Sequence, residues 1–209
     1  MRAVPRWALL SAAAAPVFLI GGWTLAATRQ PGGFDQVGGT ISALAAVDAT
    51  DRWIMTVGLL GLGICHCVTA AGLRPSGTVG RLLLALGGLA NLGVAAFPLP
   101  AERGSSAPHG LAAAVAFGAL ALWPAFAGRG RRGPDRAAGL PARWGTTTAA
   151  LLLALVCWFT VELVTGGDRI GLAERVAAGA EALCPLLVVA VLSRRCRRAA
   201  GGAPSPPPR

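Results

Sequence analysis

Trp53-Ile-Met-Thr-Val-Gly-Leu-Leu-Gly-Leu-Gly-Ile-Cys-His-Cys-Val-Thr-Ala-Ala-Gly-Leu73 decides the class of fold. The run holds no charged residue, and a helix of about 20 apolar residues crosses the ~30 Å hydrocarbon core of a bilayer. Gly58, Gly61 and Gly63 recur along it, and small residues let neighbouring helices approach closely. Outward from this run lie five more: 7–27, 82–98, 109–127, 144–165 and 172–193. The run 82–98 is short, so it spans with little tilt or extends through Pro98 and Pro100. The expected fold is all-α, a polytopic six-helix transmembrane bundle. Residues 1–198 form the single transmembrane domain, and 199–209 a disordered cytoplasmic tail.

Composition agrees. Of 209 residues, 54% are hydrophobic and 13% charged, against about 25% charged in a soluble domain. Mean hydropathy is +0.60. All 19 basic residues are arginine. The abundance of Ala and Gly is that of a GC-rich, actinobacterial-type genome, which weakens any argument from the frequency of small residues. A net charge of +10 in a soluble protein would raise nucleic-acid binding. Here the position of the arginines gives a simpler cause. Fourteen lie in the N-terminus, the 74–81 and 129–143 loops and the tail, whereas five lie on the other side. Basic residues in short loops stay inside. Both termini are therefore expected in the cytoplasm and the protein in the cell membrane. Six spans agree with that parity. The expected partners are membrane lipids, with anionic inner-leaflet lipid at the Arg-rich loops; nucleic acid is not required.

Trp7, Trp53, Trp144 and Trp23 lie near span ends, where indole rings favour the interface. The loop from Arg129 to Arg143 and the Pro-rich tail read as solvated linkers. The first span also resembles a signal peptide, although its apolar run is long for one. The five cysteines, Cys65, Cys67, Cys157, Cys184 and Cys196, fit no secreted disulfide framework.

Ionisable groups inside spans are costly and are functional candidates by default. Glu181 lies near the middle of the sixth span. It reads either as a proton-transfer acid kept neutral by burial or as an interhelical stitch. Glu174, seven residues earlier, shares nearly the same helical face, and Arg175 adjoins it. Glu162 sits about one turn from the end of the fifth span, reaching the outer mouth or snorkelling to the interface. Cys65-His66-Cys67 looks like metal chemistry, but consecutive helical residues point about 100° apart and cannot chelate one ion. A hydrogen-bonded core histidine is the expected role of His66, and interhelical bonding that of Asn91. Neither a metal nor an organic cofactor is expected. His109 opens the fourth span after Pro108, near the positive end of the helix dipole. That placement favours neutral imidazole and suits a general base.

The loop between the first two spans reads Gln30-Pro-Gly-Gly-Phe-Asp35, then Thr40-Ile41-Ser42-Ala-Leu44. Thr40 is a good N-cap, and Ile41, Leu44 and Val47 recur at helical spacing. A short amphipathic helix over 40–47 is expected, lying on or dipping into the outer interface. Ser42 falls off its apolar stripe. Ser42, His109 and an aspartate such as Asp48 or Asp51 would make a nucleophile–base–orienter set.

The chain resembles the bacterial integral membrane proteins grouped as domain of unknown function 998. The likeness rests on Gln30-Pro31 and Asp35, Thr40 to Leu44, Phe97-Pro98, His109-Gly110 and Gly171-Leu-Ala-Glu174-Arg175. Two positions depart from that pattern: Leu99-Pro100 follow Phe97-Pro98 where an acid is usual, and Ala45 stands where Gly is common. The resemblance implies six spans with polar motifs gathered at the outer face, and no established activity.

Three function classes stay open. One is a non-enzymatic membrane protein with a polar outer mouth. The second is a membrane-embedded enzyme acting on a lipid or isoprenoid. Its catalytic candidates are Ser42, His109, Glu162, Glu174 and Glu181, and its substrate-binding candidates are Asp35 and Arg175. The third is a small proton-coupled transporter using Glu181 and His66, which has the least support because no repeat or broken helix is visible.

Overall fold

A computed structural model describes residues 4–128 and 141–201, with side chains as far as Arg195. The loop reading of 129–140 and the tail reading of 202–209 lie outside the described residues. Among the described residues there are six helices long and apolar enough to cross a membrane, and no strand. The spans are Arg6–Thr28, Trp53–Gly72, Thr78–Ala96, Ala107–Ala127, Ala142–Thr165 and Ile170–Arg195. Each packs on its neighbours in sequence, and the first also packs on the sixth. The chain therefore closes a ring of six antiparallel helices.

The glycines of the second span act as expected. A Cβ on Gly63 would stand 2.7 Å from the Gly88 carbonyl oxygen, and one on Gly88 would stand 2.7 Å from that of Gly63. The second and third spans thus meet backbone to backbone. The first span is an integral ring member: Ala8, Ala12 and Ala15 are fully buried, and the Ser11 hydroxyl donates to the Cys65 carbonyl at 2.8 Å. It widens to a π-turn over Val17–Gly21, directly after Pro16.

The third span differs from its expected start. It begins at Thr78 and stops at Ala96 without passing through Pro98. Arg81 is accommodated inside the helix because its guanidinium donates to the Ala70 and Ala71 carbonyls, at 2.8 and 3.2 Å. Those carbonyls belong to the C-terminal turn of the second span, where a cation is favoured. Three of the tryptophans are exposed near span ends as expected, but Trp23 is buried within the ring.

The first loop is a plug rather than a helix at the interface. Its helix covers only Ile41–Leu44, with the Thr40 hydroxyl accepting from the Ala43 amide at 3.0 Å. Ile41, Ala43, Leu44, Ala45 and Ala46 are all buried. The helix goes no further because the Val47 amide donates to the Leu99 carbonyl, at 2.9 Å. Val47 is 57% exposed, so the expected Ile41/Leu44/Val47 stripe is broken.

Three loops meet at this end of the bundle. The Leu172 amide donates to the Val37 carbonyl at 2.9 Å, tying the sixth span to the first loop. Arg175 does the same from its side chain: Nη1 donates to the carbonyls of Gln36, Gly39 and Gly171, at 2.9, 2.7 and 2.9 Å.

Candidate functional site

Ser42 sits in the first turn of the short helix, where the Thr40 cap holds its backbone. His109 is the third residue of the fourth span, and Glu174 lies in the second turn of the sixth. The plug brings the three together. His109 Nε2 is 3.1 Å from Ser42 Oγ, and Ser42 Oγ is 3.2 Å from Glu174 Oε1. The other carboxyl oxygen of Glu174 accepts a short hydrogen bond from the Ile41 amide. His109 Nδ1 is 2.9 Å from the Phe97 carbonyl, which can only accept, so Nδ1 carries a proton.

The free carbonyl of Phe97 has a sequence cause. Pro98 disfavours helix at the residue before it, so the third span ends there and Phe97 is not helical. The Phe97-Pro98 pair was legible, but its service as the orienter of His109 was not, because the two residues meet only in the fold.

Three protons fit this array in two ways. In one, neutral Glu174 donates to Ser42, and Ser42 donates to neutral His109. In the other, Ser42 donates to the Glu174 carboxylate, and imidazolium His109 donates to Ser42. The two arrangements have the same composition and differ by one proton moved through the hydroxyl. His109 and Glu174 are thus the two ends of a proton relay, and both are buried. The expected aspartate has no part in it: Asp51 pairs with Arg29 at 2.9 Å, and Asp48 is exposed.

All three residues line a cavity of about 500 Å³ between the fourth and fifth spans. Phe117, Val156, Phe159 and Leu163 give it apolar walls, while Thr40, Ser105 and Ser106 make its end polar. Ala114, Thr160 and Leu163 are exposed on the flank of the bundle, so the cavity opens sideways between the two spans. Sequence reading missed this cleft, since its walls look like any apolar span.

The remaining candidates fall elsewhere. Glu162 accepts from Trp158 Nε1 and from the Arg169 amide, each at 3.2 Å, and so holds the turn between the fifth and sixth spans. Asp35 folds its own turn, accepting from the Val37 amide at 2.9 Å. The Gly38 and Val37 amides hold its carboxyl below the usual carboxylate range, and Arg175 adds a smaller pull. Arg29 does the same for Asp51 through its hydrogen bond. Arg175 straps the loop and lies over the Phe34 ring, 5.6 Å from its centroid. Neither Asp35 nor Arg175 lines the cavity.

Glu181 and His66 lie deeper, around a smaller chamber of about 40 Å³ that shares Ser42, Phe117 and Glu174 with the first cavity. His66 is fully buried, and among the described residues neither ring nitrogen has a protein hydrogen-bond partner. Asn91 bonds the Gly87 carbonyl of its own helix at 3.1 Å rather than another span. Further along, Leu84, Trp123, Val189 and Leu192 fill the ring.

A ring of six apolar spans with a carboxyl–hydroxyl–imidazole array at one end defines a multi-pass membrane protein. The chain belongs to the family described as Protein of unknown function (DUF998), whose model matches residues 12–192 and so includes all three members of the array. No curated protein and no solved structure matches the chain.

Proposed function

We propose that the protein is a membrane-embedded enzyme that carries out proton-transfer chemistry on the polar group of an amphiphilic lipid. The observation that carries this reading is the shared wall: Ser42, His109 and Glu174 form one hydrogen-bonded chain, and all three face the same apolar cavity. About 500 Å³ is within the range of small-molecule sites, apolar with a few convergent polar groups. A hydrocarbon chain entering sideways between the fourth and fifth spans would place its polar end beside Ser42.

Glu174 and His109 then act as the acid–base pair. One end takes a proton from the substrate or from water, the other gives one to the departing group, and Ser42 passes a proton between them to reset the array. Ser42 is also the candidate nucleophile: its oxygen would bond the substrate's electrophilic centre as the bond to the departing group breaks, its own proton passing to His109 or to the Glu174 carboxylate.

The arginine asymmetry supports an outward-facing site in the cell membrane, with both termini in the cytoplasm and the Arg-rich end against anionic lipid. The experiment is conversion of a total lipid extract by the protein in nanodiscs, followed by mass spectrometry. Wild type is expected to deplete one lipid class, and Ser42→Ala and His109→Ala to leave it intact. Identical lipid profiles for wild type, variants and empty nanodiscs would overturn the enzyme reading.

A further inference from the structure

We propose that the smaller, inner chamber is a second site, one that binds a short chain of water and links Glu174 to Glu181 as a proton reservoir for the array. It rests on the acid–base reading of Glu174, but its test does not. Three observations converge on the chamber.

The first is unmet hydrogen-bonding capacity. Among the described residues His66 Nδ1, His66 Nε2 and Glu181 Oε1 have no protein partner, and both residues are at least 98% buried, His66 at 0% and Glu181 at 2% exposure. In a bilayer no solvent outside the ring can serve such groups. Both residues line the same chamber, together with Asn91.

The second is room. A buried water needs about 10–15 Å³ and two to four polar partners. A chamber of about 40 Å³ therefore takes up to about three waters. The walls are mostly apolar, but Ser42, His66, Asn91, Glu174 and Glu181 set polar groups among them for water to bond.

The third is alignment. Glu174, Ala178 and Glu181 all line the chamber from the sixth span. Positions separated by four and then three residues share one helical face. Seven residues rise about 10.5 Å. Three waters with hydrogen bonds of about 2.8 Å bridge that distance.

The transfer breaks and forms only O–H bonds. A proton leaves the Glu181 carboxyl group for the first water, and each water hands one on. The last proton reaches the Glu174 carboxylate, and Glu181 becomes the carboxylate. His66 and Asn91 hold the waters in line. Leu84, Trp123, Val189 and Leu192 pack the bundle beyond the chamber, on the side away from the array.

The test is infrared spectroscopy of the protein in lipid nanodiscs, following the carboxylic C=O stretch after transfer to D2O. Glu181→Gln identifies the Glu181 band by its loss. In wild type that band is expected to shift promptly on deuteration. Ala178→Leu places a side chain between the two acids and is expected to slow the shift by an order of magnitude or more. Ala178→Val, a smaller plug, is read alongside it, and both variants are checked by thermal melting. The proposal is overturned if the wild-type Glu181 band does not exchange. It is also overturned if a folded plug variant exchanges as fast as wild type, or if sodium shifts the band as an ion ligand would. None of these readouts uses lipid conversion, so failure of the reservoir and failure of the enzyme reading are distinguishable.

Discussion

Replacing Glu174 by Gln and by Ala separates its two jobs. The carboxyl group accepts from the buried Ile41 amide and bonds the Ser42 hydroxyl. Glutamine can meet both: its carbonyl oxygen faces the Ile41 amide, and its NH2 donates to Ser42 Oγ, which then donates to His109. That reproduces the neutral arrangement of the array. Alanine leaves the Ile41 N–H buried and unpaired, at a cost of about 1–3 kcal/mol, while Ser42 keeps His109. For a chain of this size, 1 kcal/mol shifts Tm by roughly 2–4 °C. Glu174→Ala is therefore expected to lower Tm by about 2–12 °C, and Glu174→Gln by less than Glu174→Ala. The assay is tryptophan-fluorescence melting of the three proteins in the same nanodiscs, with lipid conversion measured in parallel. The Gln variant is expected to fold as wild type yet lose conversion, because it cannot reach the charged arrangement. Equal melting of Ala and wild type would refute the assigned role of the carboxyl group in holding the plug. Full conversion by the Gln variant would refute its role as a relay end.

Three further outcomes follow from the geometry. Arg175→Ala removes the donor to three carbonyls, so hydrogen–deuterium exchange of residues 36–39 is expected to rise while the membrane spans stay protected. Gly88→Ala forces a Cβ against the Gly63 carbonyl and is expected to cost about 1–3 kcal/mol in thermal or denaturant unfolding, whereas Gly118→Ala, with open space around it, is expected to be neutral or slightly stabilising. The Asp35 turn is expected to loosen in acid. Its carboxyl is held below the ordinary 3.8, so its contribution is complete above that value and is lost as pH falls below it, through the folded pKa. Asp35→Asn is expected to abolish that pH dependence in the exchange of residues 35–39.

The spans were legible because hydrocarbon thickness and charge placement are strong, additive constraints on sequence. Thr40 as a cap was legible for a similar reason, since it needs only residues a few positions away. What failed was whatever depended on a distant partner. Arg81 looked like loop because its acceptors, Ala70 and Ala71, lie on another helix. The short helix ends before its apolar pattern does because the Val47 amide goes to Leu99. That His66 lines a chamber could not be read either, because the chamber's other walls come from distant spans. At the site, residue type and loop placement single out Ser42, His109 and Glu174 as candidates. Sequence could not show that the acid meeting Ser42 is Glu174 rather than Asp48 or Asp51. That choice is made by Arg175, which ties the loop to the sixth span one residue from Glu174.

The central claim is that Ser42 and His109 work as one unit at this cavity, and a double-mutant cycle on lipid conversion tests it most directly. Ser42→Ala, His109→Ala and the double variant are compared at matched membrane abundance. Residues acting as a unit give non-additive losses. The expected result is that each single variant loses nearly all conversion and the double variant is no worse than either. Independent, multiplicative losses, or conversion at the wild-type rate in a folded single variant, would contradict the claim.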